Sequence, residues 1–273
     1  MRRLLAVLGL IGVTSSALAG DLPTLRGSEV FQPVAAVCCQ RWSGAYFGGH
    51  LGFGFADMDF SGATQDLVAH MLRITQLEAE QLPSTWQALG RTTTSGSSFG
   101  GFVGYNIGWE SLILGTEFNY NRTNHSTDAP VFPITRVVAV GSNTDTVTIT
   151  GAGSMRIIDF ATARVRAGYE CGNFLPFAMI GFAAGRADVA RSATATVRET
   201  PADPTIPPST FVFSEGSAKQ SAFIFGWAIG GGIDAMILPN VFLRGEYEYV
   251  AFQTIFGIKA AVNTGRVGIG LKF

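Results

Sequence analysis

Val241-Phe242-Leu243-Arg244-Gly245-Glu246-Tyr247-Glu248-Tyr249 decides which physical problem this chain solves. Successive side chains of a strand point to opposite faces. Val241, Leu243, Tyr247 and Tyr249 therefore share one face, and Arg244, Glu246 and Glu248 share the other. The apolar face carries large rings and the polar face carries full charges. A helix of the same residues would mix the two sets on every side.

The same period of two recurs along the chain. Leu112, Leu114, Phe118 and Tyr120 alternate with Glu117, Asn119 and Asn121. Ala163, Val165, Ala167 and Tyr169 alternate with Thr162, Arg164, Arg166 and Gly168. Further segments run near 45–55, 98–107, 177–188, 223–232 and 266–273, which makes eight strands. A soluble sandwich also alternates, but it turns charge and hydroxyls outward. Here the non-apolar face is largely glycine with a few charges, which suits the narrow interior of a small barrel with lipid outside.

Composition supports that choice. Charged residues are 14% of the chain, with 34 Gly and 21 Phe, against about 25% charged in an ordinary soluble domain. No uncharged apolar stretch of helical-span length follows residue 19. Membranes are crossed only by helices or closed barrels. The fold class expected is all-β, an eight-stranded antiparallel up-and-down transmembrane β-barrel over 44–273. The net charge of −1 and the lack of a basic block exclude a nucleic-acid partner.

The ends and connections give the rest of the layout. Arg2-Arg3, the apolar run Leu4 to Val13 and Ala17-Leu18-Ala19 read as a cleaved signal peptide over 1–19. Residues 20–43 read as a periplasmic lead-in. Long connections are expected at about 56–97, 122–158 and 189–220, with short turns at 108–111, 170–176 and 235–240. Outer-membrane barrels keep short turns on the periplasmic side and long loops outside. Both termini are then periplasmic. Trp42, Tyr105, Trp109, Tyr169, Phe177 and Phe273 map to that periplasmic rim, where amphipathic rings are favoured.

Three motifs carry a resemblance. Trp42-Ser43-Gly44-Ala45-Tyr46-Phe47-Gly48-Gly49, Phe99-Gly100-Gly101-Phe102-Val103-Gly104-Tyr105-Asn106 and Val267-Gly268-Ile269-Gly270-Leu271-Lys272-Phe273 resemble the opening, second and closing strands of the alphaproteobacterial small outer-membrane surface antigens, a porin-like, opacity-type family. The resemblance covers the strands and hardly the loops. It implies an eight-stranded barrel, described in the family as porin-like, as a surface antigen or, for a few members, as a haem binder. It supplies no catalytic residues.

The candidate sites follow from the facing. Glu117, Arg164, Arg166, Arg244, Glu246, Glu248 and Arg266 point into the lumen, with Asp234 as a further candidate. Buried charges must pair, so these side chains are expected to form a salt-bridged plug. Val267, Ile269, Leu271 and Phe273, apolar at alternate positions up to the chain end, read as the signal that barrel-assembly machinery would take by strand addition. Cys38, Cys39 and Cys171 all map to the periplasmic side, which makes Cys171 with Cys38 or Cys39 a candidate disulfide.

His50, His70 and His125 show no metal-ligand spacing. Asn124-His125-Ser126-Thr127 lacks the matched carboxylate a triad needs, and Gly49 to Gly54 lacks the helix of a nucleotide fingerprint. No cofactor, metal or catalytic site is expected, and the chain does not read as an enzyme. Residues 65–82 read as a loop helix with Leu67, Met71, Ile74 and Leu77 on one face. The function expected is a structural and surface barrel with outward loops, in contact with outer-membrane lipids and with envelope or host-surface partners. The alternatives are a passive porin for small solutes and a haem- or ligand-binding surface receptor.

Overall fold

The computed structural model describes residues 41–273. The expected signal segment 1–19, the lead-in up to residue 40, and Cys38 and Cys39 lie outside the described residues.

Each alternating segment forms a strand hydrogen-bonded to its neighbours. The strands are β1 (Gly44–Asp59), β2 (Arg91–Trp109), β3 (Leu112–Asp128), β4 (Ile134–Val140), β5 (Asn143–Tyr169), β6 (Phe174–Thr200), β7 (Ser209–Leu238), β8 (Val241–Phe252) and β9 (Lys259–Lys272). Their order is β3-β2-β1-β9-β8-β7-β6-β5-β4, and β3 also pairs with β5. That last pairing closes a ring of eight antiparallel strands and leaves β4 outside it, attached to β5. Closure removes the free edges that an open sheet would expose.

The seam lies between β1 and β9. The Phe273 backbone N–H donates to the Ala45 carbonyl at 2.9 Å, and the Phe47 and Phe273 rings stack at 5.7 Å. Gly44 sits there with φ +117°, and a Cβ on it would lie 2.2 Å from the Phe273 carbonyl oxygen, so no other residue fits. Val267, Ile269, Leu271 and Phe273 all face outward and are exposed.

The two ends differ. At the turn end, Glu110-Ser111, residues 170–173 and Pro239-Asn240 join strands tightly. At the loop end, β5, β6 and β7 run far past the ring. Much of 122–158 and 189–220, expected to be loop, is strand: β5 starts at Asn143, β6 ends at Thr200 and β7 starts at Ser209. In the first long connection, β1 runs on to Asp59 and β2 begins at Arg91. Only 60–90 lies between them, with helices α1 (Gln65–Leu72) and α2 (Gln76–Gln81).

The helical stretch stands where expected, but its buried face differs. Leu67, Val68, Leu72 and Leu77 are buried, while Ile74 is 90% exposed. The chain breaks between two short helices, which resets the helical period. Leu72 and Leu77 straddle the break, and the Thr75 hydroxyl caps α2 by accepting from the Glu78 N–H at 3.2 Å.

The rim assignment also needs a correction. Tyr105, Trp109, Tyr169 and Phe273 are exposed outward, but Trp42 and Phe177 are buried in the lumen. Phe177 shares the inward parity of Met179, and the Arg166 guanidinium lies 3.9 Å over its ring. Trp42 turns in at the mouth, where its indole N–H donates to the Gly172 carbonyl at 3.3 Å.

Candidate functional site

The lumen is filled in three layers. At the turn end Trp42, Tyr46, Phe102, Ile113, Leu175, Met236 and Phe242 pack into an apolar plug. The space is so tight that a Cβ on Gly270 would meet the Phe242 ring at 2.2 Å. At the loop end Phe160, Ile224, Val250, Phe252 and Val262 point inward, and Phe60, Leu89 and Ile258 come down from the loops to meet them.

Between the plugs lies a lattice of charge. The structure brings together all seven lumen residues and Asp234, every one of them buried. Arg164 stands at its centre. It donates to Glu117 at 3.0 Å, to Glu246 at 2.9 Å and to Glu248 at 2.8 Å. Arg166 donates to Glu117 at 3.3 Å and to Asp234 at 2.7 Å. Arg244 reaches the same two carboxylates, each at 2.7 Å. Arg266 closes the lattice against Glu246 at 3.2 Å and against Glu248. Four guanidinium groups face Glu117, Asp234, Glu246 and Glu248, so the lattice is neutral.

Such a lattice is held by geometry. Desolvation of each charge costs several kcal/mol, about what a well-placed partner returns. The strands supply the placement: Glu117 is directly opposite Arg164, Asp234 opposite Arg244 and Glu246 opposite Arg266. The parity of the strands therefore delivers each acid beside a base. Aromatic rings complete the shell, with Arg244 4.2 Å over Phe102. Sequence reasoning missed Tyr46, whose hydroxyl donates to Glu117 at 2.7 Å and accepts from Arg166 at 3.3 Å. Its inward parity with His50 was the available signal.

The loop-end extension is organised differently. Leu67, Val68, Leu72, Leu77 and Trp86 from the first connection pack on Val147, Ile149, Ala193, Ala195 and Val197 of β5 and β6. One buried cation fastens this cover. Arg191 of β6 donates to Asp66 of α1 at 2.5 and 2.6 Å, to the Ala63 carbonyl at 2.9 Å and to the Phe256 carbonyl at 3.0 Å. The Asp66 carboxyl is pushed up by burial, but the Arg191 guanidinium outweighs this and holds it below the usual carboxylate range. Asp145 behaves oppositely: burial first, and then Glu199, push its carboxyl up.

The histidines do not converge. His50 is buried in the lumen and stacks on Phe102. His70 is exposed and bonds Glu215 at 2.9 Å. His125 is fully buried, its ring bonded to the Thr123 hydroxyl rather than to Ser126 or Thr127. Among the described residues no cluster of His, Cys, Asp and Glu could hold a metal ion. Cys171 is exposed in the turn between β5 and β6.

Comparison with known proteins places these features in context. A family model described as outer membrane protein beta-barrel domain matches residues 5–273. The 25 kDa outer-membrane immunogenic protein of Brucella ovis is 24% identical over 270 residues, 96% of each chain. Among solved structures, Neisserial surface protein A is similar at 14% identity, covering 84% of this chain and 99% of its own, with a TM-score of 0.38. The attachment invasion locus protein of Yersinia pestis is similar at 12% identity over 85% and 99%, with a TM-score of 0.31. At those scores the closed ring rests on the strand pairing of this chain itself.

Proposed function

The chain belongs to the outer membrane protein beta-barrel domain family, and from that premise we propose that it is a non-conducting surface barrel. It anchors a folded β-extension and its helical cover outside the membrane. On this reading the turn end and both termini are periplasmic, residues 1–19 direct export, and the loop end meets envelope or host-surface partners.

One observation carries the reading: the lumen is occupied from end to end. An eight-stranded ring is just wide enough for side chains or for one small ligand, and here two apolar plugs and a neutral ion lattice between them take that space. A hydrated solute would have to displace both plugs and break buried ion pairs. That argues against the passive porin. The haem or ligand reading has less support, since His125 is buried and His70 is already engaged by Glu215.

Single-channel recording in a planar bilayer tests the proposal. The expected trace stays at the bilayer baseline. Discrete steps accompanied by sugar uptake into liposomes would overturn it.

A further inference from the structure

The outward face of β5 is unlike that of any neighbour. Through the apolar belt it carries Ala161, Ala163, Val165 and Ala167. Large side chains flank its middle, with Phe118 opposite Ala163 on β3, and Phe182 and Ile180 opposite Ala163 and Val165 on β6; toward the ends β6 turns the small Ala184 and Ala178 outward opposite Ala161 and Ala167. Phe182 is 80% exposed and Phe118 52%. A small-residue floor between bulky banks is a trough. It shows as two adjoining grooves of about 870 and 730 Å³ that share Tyr105, Thr116, Val165 and Ile180. From Ala161 to Ala167 the floor runs about 20 Å, at ~3.3 Å per residue. With a strand tilt near 40° that is about 15 Å of depth, the scale of one acyl chain in a single leaflet.

The loop-end mouth of this trough is cationic. Arg122, Asp159 and Arg186 stand side by side on β3, β5 and β6. Arg186 pairs with Asp159, which also accepts from the Tyr120 hydroxyl at 3.0 Å. Arg122 is exposed and makes no ion pair of its own among the described residues. The row therefore keeps one positive charge in excess, just above the apolar belt. On the far side of the ring, by contrast, Asp59 of β1 stands between Arg91 of β2 and Lys259 of β9, with Asp57 two residues away.

We propose that the β5 trough and its arginine row form a binding site for one anionic acyl lipid of the membrane leaflet at the loop end. A chain lies along Ala161 to Ala167, and a phosphate or carboxylate at the chain root sits on Arg122, with Arg186 beside it. The charge excess favours a lipid over a second protein wall, because an apolar wall would leave Arg122 buried and unpaired. Naming that leaflet the outer one rests on the orientation given under Proposed function. The site itself does not, and a conducting barrel would overturn that reading while leaving the lipid preference intact.

Native mass spectrometry of the detergent-solubilised full chain tests it. The probe is an equal mixture of phosphatidylglycerol and phosphatidylcholine with identical chains. The expected result is one retained lipid with roughly tenfold preference for phosphatidylglycerol, the ratio one charge-assisted contact supplies. Arg122→Gln leaves the Arg186–Asp159 pair in place and should bring the preference close to one, while Arg122→Lys keeps most of it. Ala163→Trp fills the floor and should lower retention of both lipids, whereas Val267→Trp on the far wall should not. Equal retention of the two lipids, or an unchanged preference in Arg122→Gln, would overturn the site. So would inorganic phosphate binding that survives Ala163→Trp, or a dimer that Ala163→Trp dissolves.

Discussion

The two halves of β5 obey opposite rules. From Asp159 to Tyr169 the strand sends Arg164 and Arg166 inward and Ala163, Val165 and Ala167 outward. From Asn143 to Ile157 it sends Val147, Ile149, Met155 and Ile157 inward, with Thr146, Thr148 and Thr150 on the other face. The backbone stays extended throughout, with one bulge between Ile157 and Asp159. On the proposed reading, what changes is the solvent. In lipid the apolar atoms belong outside and the lumen can hold charge. In water the apolar atoms must be covered, and α1 and α2 cover them. One strand thus records the membrane boundary in the chemistry of its two faces.

The comparison breaks first where charge is buried. Glu117→Ala leaves Arg164, Arg166 and Arg244 short of a partner, and Tyr46 short of an acceptor. Breaking a buried pair costs about 3–5 kcal/mol. The expected outcome is a lower urea midpoint than that of Asp128→Ala, a change at an exposed carboxylate of the loop end. Equal midpoints for the two variants would show that the lattice does not hold the lumen.

A matched pair of lysines sharpens the boundary itself. Val165 on the lower half of β5 is 55% exposed within the apolar belt. Val165→Lys should cost about 2–4 kcal/mol in a bilayer, the range for a cation near the midplane. Thr196, facing outward on the extension of β6, should tolerate the same residue within about 0.5 kcal/mol. Refolding into liposomes measures both. Similar costs at the two positions would put the extension inside the membrane or the belt outside it.

How far the sequence could be read follows the same boundary. In the belt, rings and aliphatics alternate with Arg and Glu, so the contrast between faces is large. The strands and the lumen residues Glu117, Arg164, Arg166, Arg244, Glu246, Glu248 and Arg266 are legible there one residue at a time. Facing failed at Phe177 of β6, where both faces are apolar, and at Trp42, which precedes β1 and turns in at the mouth. In the extension, Thr and Ser alternate with Val, Ile and Ala. That contrast is weak, and the stretches read as loops although their β-branched residues favour strand. The Arg191–Asp66 contact joins residues 125 positions apart. No motif or spacing announces a contact of that kind, because only the folded cover brings α1 onto β6.

The smallest expected effects lie in that cover, and they carry a sign. Arg191→Ala removes the donor from the buried Ala63 and Phe256 carbonyls and should cost about 2 kcal/mol of local stability. Hydrogen exchange should then rise across 60–90 while the ring stays protected. Asp66 contributes less, since its side chain is 62% exposed and solvent screens the pair. Its folded carboxyl lies below the ordinary value, so its contribution is present above about pH 4 and is lost as the pH falls through the folded value. Asp145 runs the other way. Its folded carboxyl lies above the ordinary value, so ionisation weakens the extension, and that penalty is present at neutral pH and disappears in acid. Asp145→Asn should therefore slow exchange in the extension at pH 7. Asp66→Asn should speed exchange in 60–90 at pH 7 and remove most of its acid dependence. Exchange in 60–90 that rises in acid as steeply in Asp66→Asn as in the native chain would show that the latch is held by Arg191 and the two carbonyls alone.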